Sequence, residues 1–196
     1  MTSAHGFTVE GGSSACGVDI EGELAYQGDC DSSDSYPIGR VEYYDHGYDW
    51  ALINKDEMPT GKSSSSSVVD EYPRIVGRVT ENGVDELISN DETVYHYGMK
   101  TCSTEGTVKE YANYDRCENE DYIALTTDAA SGDSGGPHYR YVQDPNGDYL
   151  ELIGPHTRHL TVTDHFCHCE VHYESHAPAA FKIAENTNIL FGGVNC

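Results

Sequence analysis

Short runs of β-branched and aromatic residues, each ended by Gly, Asn, Asp or Pro, restrict the fold of this 196-residue chain more than any other feature. Runs of this kind form β-strands, and the residues that end them form turns. The runs lie at residues 68–69, 74–79, 93–97, 149–153 and 160–163. The dipeptides Asn82-Gly83 and Asn146-Gly147 are typical of two-residue β-hairpin turns. The pattern predicts an all-β fold.

One segment departs from this pattern and predicts a short C-terminal helix. It spans residues 179–188. Its apolar residues recur near the 3.6-residue period of an α-helix, at Ala180, Phe181, Ile183 and Ala184.

The hexapeptide GDSGGP at residues 132–137 predicts a site for acyl transfer. A serine becomes a nucleophile only when a neighbouring base takes its proton, and the reaction needs backbone N–H groups aimed at the oxyanion that forms. Gly132 lets the chain turn tightly, so that its N–H can lie beside the N–H of Ser134. Pro137 then starts an extended segment, because its φ is restricted. An ordinary glycine-rich turn is the alternative interpretation of such a motif.

Two upstream motifs supply candidates for the base and for the carboxylate that orients it. His5 follows three small residues, and Asp49 opens an apolar run at residues 50–53. A base must hydrogen-bond the serine, and a buried carboxylate must hold the imidazole in the productive tautomer. We therefore expect His5, Asp49 and Ser134 to meet in the folded protein.

The order histidine, aspartate, serine, with these three motifs, resembles the chymotrypsin-like (trypsin-fold, S1-type) serine peptidases. The segments YHYG at residues 95–98 and GTV at residues 106–108 are similar to the bacterial and archaeal branch of that family. The resemblance covers most of the chain and is most specific around Ser134. It implies two antiparallel Greek-key β-barrels with the active site between them, and a closing C-terminal helix.

The same resemblance implies a serine endopeptidase that works through an acyl-enzyme and needs no cofactor. Ser134 would attack the peptide carbonyl, His5 would act first as base and then as acid, and Asp49 would orient His5. The N–H groups of Gly132 and Ser134 would hold the oxyanion. A catalytically silent trypsin-fold fragment or binding module is the alternative, and an intact triad argues against it.

A serine-rich segment at residues 59–67 divides the chain. Its composition is that of a flexible linker. We expect residues 1–58 to form a partial N-terminal barrel that carries the histidine and the aspartate. Residues 68–196 would then form the C-terminal barrel, with the nucleophile and the terminal helix.

The start of the chain is unusual for the family that it resembles. Met1 lies four residues before His5, so the strands that should precede this histidine are missing from the chain. We therefore expect an N-terminally truncated member of the family with little or no peptidase activity. The family also implies secretion, although no signal peptide precedes His5.

Two acidic residues near the serine bear on specificity and activation. The resemblance implies that Asp128, six residues before Ser134, lies at the base of the side-chain pocket and selects Arg or Lys through a charge-assisted contact. The alternative is a surface aspartate among 34 acidic residues. In many animal relatives the counterpart of Asp133 pairs with a freshly cut N-terminus, an activation that we do not expect in a chain starting at Met1.

The net charge of the chain limits which partners it can bind. Asp and Glu outnumber Lys and Arg by 34 to 11, which gives a net charge of −23. Such a charge repels nucleic acid and anionic membranes, so we expect neither as a partner. We expect a monomer that acts on a polypeptide substrate. Disorder is the alternative interpretation of so acidic a composition, and the 15 tyrosines argue against it. A folded chain this acidic is typical of a high-salt organism.

The seven cysteines leave one unpaired if the rest form disulfides. Proximity along the chain favours pairing Cys16 with Cys30 and Cys102 with Cys117, and geometry could overrule either pair.

A cluster at residues 164–169, followed by His172 and His176, raises the question of zinc. On a strand, His165, Cys167 and Cys169 would share one face, and both residue types bind zinc. The spacing is not one of the usual paired Cys frameworks, so we predict no metal there and favour disulfide pairing plus surface histidines. The other histidines are expected to be solvated or satisfied in the core.

The charge of −23 predicts that salt stabilises the fold. Dissolved ions screen the repulsion between surface carboxylates, so the melting temperature should rise steadily from dilute buffer to molar KCl. Thermal unfolding followed by circular dichroism measures this. NaCl should give a similar rise, because screening does not depend on which cation is present. A flat or falling melting temperature would contradict the high-salt interpretation.

Overall fold

The computed structural model describes residues 1–7, 18–28, 30, 35–55, 73–112, 121–163, 171–187 and 189, and gives only the backbone at residues 161–163 and 171–173. Within these residues the chain forms two β-sheets, two short α-helices and one 3₁₀ turn at Ala4–Phe7.

The smaller sheet contains the three N-terminal strands, β1 (Leu24–Gly28), β2 (Ser35–Asp45) and β3 (Trp50–Asn54). They lie in the order β1-β2-β3 and pair antiparallel. Thr2 adds an isolated antiparallel bridge to Ala51 of β3. A small apolar cluster packs beside this sheet and consists of Ala4, Ile20, Val41 and Ala51.

The larger sheet contains eight strands in the order β10-β11-β7-β6-β5-β8-β9-β4. The strands are β4 (Ile75–Arg78), β5 (Thr93–Gly98), β6 (Cys102–Ala112), β7 (Tyr122–Leu125), β8 (Pro137–Val142), β9 (Tyr149–Pro155), β10 (Arg158–Thr163) and β11 (Val171–Pro178). Strand β4 pairs parallel with β9, whereas the other neighbours are antiparallel. The expectation of purely antiparallel pairing therefore fails at this edge.

Four of the strand runs predicted from the sequence correspond to β4, β5, β9 and β10. The fifth, at residues 68–69, lies outside the described residues. The dipeptide Asn146-Gly147 does lie in the connection of a hairpin, between β8 and β9, but that connection spans residues 143–148 and is not a two-residue turn. Gly147 has a φ of 129° and donates its N–H to the Asp144 carbonyl at 2.9 Å.

The first helix corrects a prediction. Asn82-Gly83 does not form a hairpin turn but lies in helix α1 (Glu81–Asn90). Thr80 caps this helix, because its Oγ1 accepts a hydrogen bond from the Gly83 N–H at 3.1 Å. The helix also buries Val84 and Leu87 in the main apolar core, so the cap and the burial together outweigh the turn preference of the dipeptide.

The second helix, α2 (Ala180–Asn186), confirms the predicted C-terminal helix. Its residues Phe181 and Ile183 are buried. Phe181 belongs to the main core cluster, which also includes Val94, Val108, Ile123, Leu125 and Ile153.

The all-β class is confirmed, and the two sheets and two short helices are consistent with the two-barrel trypsin fold. The described strands do not form a closed barrel. The predicted linker at residues 59–67 lies outside the described residues, between the smaller and the larger sheet in sequence, and the domain boundary stays a prediction.

The disulfide of the described structure differs from both predicted pairs. Cys30 bonds to Cys102, with 5.3 Å between their Cα atoms and a sequence separation of 72. Proximity along the chain was therefore the wrong guide, because the fold brings the end of β1 to the start of β6. Cys16 and Cys117, the other members of the predicted pairs, lie outside the described residues.

Neither described helix has the length and the apolar composition that a membrane-crossing helix requires.

Candidate active site

Ser134 lies in the loop between β7 and β8, whose backbone conformation depends on glycine. Gly132 and Gly135 have φ values of 106° and 87°, which residues with a Cβ rarely adopt. Beyond the serine, the Gly135 N–H donates to the His156 carbonyl and the His156 N–H donates to the Gly136 carbonyl, both at 2.7 Å. These two bonds attach the loop to the residue that follows β9.

Asp49 lies immediately before β3 and holds His5 through two hydrogen bonds. Its Oδ1 accepts the His5 backbone N–H at 2.8 Å, and its Oδ2 lies 2.7 Å from the His5 Nδ1. The Asp49 side chain is only 6% exposed, so water competes little for these bonds. Its backbone has a φ of 49°, a left-handed conformation that aspartate tolerates better than most residues.

The same histidine reaches the serine on its other side. The His5 Nε2 lies 2.7 Å from the Ser134 Oγ. An ionised carboxylate can only accept hydrogen bonds, so the Nδ1 of His5 carries the proton that faces Asp49. The Nε2 is then an acceptor for the serine O–H. This tautomer is the one that can take a proton from Ser134.

The segment around His5 is anchored to both sheets. Thr2 exchanges two backbone hydrogen bonds with Ala51 at 2.8 and 2.9 Å, and the Ala4 N–H donates to the Asp49 carbonyl at 3.2 Å. A Cβ atom at Gly135 would lie 1.8 Å from the Thr2 Oγ1. The absence of a side chain at Gly135 therefore lets the N-terminal segment pack against the loop that carries the serine.

The backbone beside Ser134 offers two free donors. Among the described residues, no group accepts a hydrogen bond from the N–H of Gly132 or from that of Ser134. Pairs of such donors stabilise the oxyanion of a tetrahedral intermediate. The two N–H groups predicted for this role are thus available for it.

Asp133 stabilises this loop from within. Its side chain is 1% exposed. Its two oxygens accept four hydrogen bonds, from the N–H groups of Lys100, Thr101 and Ala130 and from the Thr101 hydroxyl, at 2.6 to 3.3 Å. Burial alone would raise the pKa of Asp133, but these hydrogen bonds outweigh it and lower the pKa below its ordinary value.

A cavity of about 390 Å³ opens beside the serine. Its lining consists of His5, Ala130, Ser131, Ser134, His156, Thr157, Arg158 and His159. Apart from Ala130, these described lining residues carry an imidazole, a guanidinium or a hydroxyl group, and none of them carries a carboxylate.

Asp128 is not among the described lining residues of this cavity, and its role at the base of a side-chain pocket stays a prediction. The residue is exposed, and its backbone carbonyl accepts a hydrogen bond from the Thr104 hydroxyl at 2.8 Å. Counting residues back from Ser134 locates a position in the loop but does not fix the direction of its side chain.

Three histidines that the sequence did not mark as a group lie together behind the cavity. His96, His138 and His156 are 0%, 0% and 1% exposed. Their ring centroids are 4.5 to 5.4 Å apart. Burial lowers the pKa of each ring, to about 3 for His156, so all three are neutral at pH 7.

Of the comparisons with known proteins, the one with solved structures supports the fold. No protein-family model and no curated protein matches the chain. The crystal structure of Cellulomonas bogoriensis chymotrypsin is similar, with a TM-score of 0.53 and 14% sequence identity. The similarity covers 90% of this chain and 100% of that chain. At this identity the likeness shows that the chain has the trypsin-like fold of serine proteases.

The environment of Asp133 predicts a large effect of the conservative substitution Asp133→Asn. An amide NH₂ would face backbone N–H donors, so we expect the free energy of unfolding to fall by about 2–3 kcal/mol at pH 7. Denaturant unfolding measures this.

The exposed Asp128 provides the matched control, because Asp128→Asn should change stability by less than about 0.5 kcal/mol. The effect of Asp133→Asn also depends on pH. Because folding lowers the pKa of Asp133, its stabilisation is present above the unfolded pKa of about 3.9 and is lost as the pH falls through the folded pKa. Equal losses in the two variants would contradict the role of Asp133.

Proposed function

We propose that this chain is a serine endopeptidase. The observation that carries the proposal is the continuous line of hydrogen bonds from Asp49 through His5 to Ser134, with 2.7 Å at each side-chain contact. The trypsin-like fold supports it, because the cleft between the two halves of such a fold can hold an extended polypeptide.

The proposed reaction proceeds through an acyl-enzyme. His5 takes the proton of Ser134 as the oxygen attacks the peptide carbonyl, and the resulting oxyanion accepts hydrogen bonds from the N–H groups of Gly132 and Ser134. His5 then gives the proton to the leaving amine. Water completes the cycle by the same steps, and Asp49 stabilises the charged imidazole throughout.

The lining of the cavity supports a preference for acidic side chains before the scissile bond. Arg158 and His159 are both part of this lining, and none of its described residues is a carboxylate. A charge-assisted hydrogen bond from a guanidinium favours a carboxylate over other groups. We therefore infer that the substrate presents Glu or Asp to this cavity.

We also propose that the protein works outside the cell in concentrated salt. The support is the net charge of −23 together with the disulfide between Cys30 and Cys102. Disulfides persist in oxidising, extracytoplasmic environments.

The proposed nucleophile predicts selective labelling. A fluorophosphonate probe should modify Ser134 stoichiometrically, because only this serine has a base at hydrogen-bond distance in the described site. Mass spectrometry of the labelled peptides identifies the modified residue. Ser134→Ala should abolish labelling. In a form that has peptidase activity, Ser134→Ala should lower kcat by roughly 10⁴- to 10⁶-fold, and His5→Ala should lower kcat by a similar factor.

Ser131 provides the control, because it lines the same cavity and is exposed. Ser131→Ala should keep full labelling. Labelling that persists in Ser134→Ala would refute the assignment of the nucleophile. A folded protein that takes up no probe would favour the alternative function, a catalytically silent binding module.

The proposed preference predicts which peptides are cut. In a library that varies the residue before the scissile bond, Glu and Asp should exceed Lys and Arg by about tenfold or more in kcat/KM, since each contact of this kind contributes about 1.5–3 kcal/mol. Arg158→Glu should reverse the order. Asp128→Ser should leave it unchanged, because the side chain of Asp128 does not line the cavity. A preference for Lys or Arg in the unsubstituted protein would overturn the inference.

A further inference from the structure

The three buried histidines form a group that the proposed peptidase reaction does not use. His96 lies on β5, His138 on β8, and His156 directly follows β9. These strands are neighbours in the larger sheet. One nitrogen from each ring lies within 4.8 Å of the other two.

The outer nitrogens of two rings have oxygen partners. The His96 Nδ1 lies 3.3 Å from the Asp128 carbonyl, and the His138 Nδ1 lies 3.4 Å from the Thr127 hydroxyl. A carbonyl oxygen only accepts, so the His96 Nδ1 carries its proton and the His96 Nε2 has a lone pair. Partners of this kind are typical of histidines that bind a metal through the opposite nitrogen.

The inner nitrogens are less well satisfied. The His96 Nε2 is buried and has no hydrogen-bond partner among the described residues. The His138 Nε2 and the His156 Nδ1 share one hydrogen bond of 3.2 Å, which binding of an ion by both nitrogens would replace. A lone pair buried without a partner is costly, and a bound ion would satisfy it.

We propose that His96, His138 and His156 bind a divalent transition-metal ion, with Zn²⁺ the best match. Zinc takes imidazole nitrogens at about 2.0–2.1 Å, which puts the nitrogens of a tetrahedral site about 3.4 Å apart. The separation between the His138 and His156 nitrogens is already close to this value. The His96 nitrogen lies within 4.8 Å of the other two, so metal binding would have to bring it closer to them by up to about 1.4 Å.

A metal ion at this site would also stabilise the loop that carries Ser134. The backbone of His156 is hydrogen-bonded to Gly135 and Gly136, the two residues after Ser134. A metal held by His156 therefore joins three neighbouring strands and fixes the loop that carries the serine. His156 also lines the cavity beside Ser134.

The test is a zinc titration of the full chain carrying Ser134→Ala, which prevents self-cleavage. After treatment with a chelator, the protein should bind one equivalent of ZnCl₂ in isothermal calorimetry, and its melting temperature should rise by several degrees at saturating zinc. His96→Gln and His138→Asn should each weaken binding by at least tenfold. His159→Gln, in the cavity but outside the cluster, should bind zinc as tightly as the parent.

A second variant separates this site from the cysteine-rich segment of the sequence. Cys167→Ser combined with Cys169→Ser should retain the zinc equivalent. Loss of binding in this double variant would overturn the proposal. Unchanged affinity in both histidine variants, or no zinc uptake at all, would overturn it as well.

If a histidine variant fails to fold, cobalt binding to the protein that retains all three histidines still tests the proposal. CoCl₂ bound to the Ser134→Ala protein should give the visible absorption of a tetrahedral site with nitrogen and oxygen ligands. An intense near-ultraviolet band from thiolate ligands would contradict the proposal. Neither result depends on catalytic activity, so the metal site and the proposed peptidase can fail independently.

Discussion

The buried carboxylate of Asp133 is the constraint on which the geometry of the candidate site depends. An aspartate that is 1% exposed is stable only if hydrogen bonds compensate for its lost hydration. The compensating donors come from two places, Ala130 in its own loop and Lys100 and Thr101 between β5 and β6. The loop that carries Ser134 is thus held to the segment between β5 and β6.

The residues of the candidate triad could be named from the sequence because each has its own local motif. Short stretches around His5, Asp49 and Ser134 were sufficient, and the structure brings their side chains to hydrogen-bond distance. The all-β class was equally predictable, since it follows from local composition repeated along the chain. The catalytic roles of His5, Asp49 and Ser134 are proposals, which probe labelling and substitution of these residues can test.

Features that depend on distant contacts could not be predicted in the same way. The partner of Cys30 is 72 residues away, so the nearest cysteine in sequence was a poor guide. Three histidines on separate strands meet only after the sheet forms. A partial signal existed for His96, because it alternates with Val94 and Gly98, all buried on the same face of β5. Alternation shows that a side chain is buried but not which neighbours it meets.

The disulfide between Cys30 and Cys102 makes the chain tolerant of its own cleavage. It connects the end of β1 in the smaller sheet to the start of β6 in the larger one, and closes a loop that contributes about 4 kcal/mol to stability on chain-entropy grounds. A peptide bond cut anywhere between these two cysteines would leave both fragments covalently joined. A nicked molecule would therefore keep the two halves that carry His5 and Ser134 together, and it would separate into two pieces only after reduction.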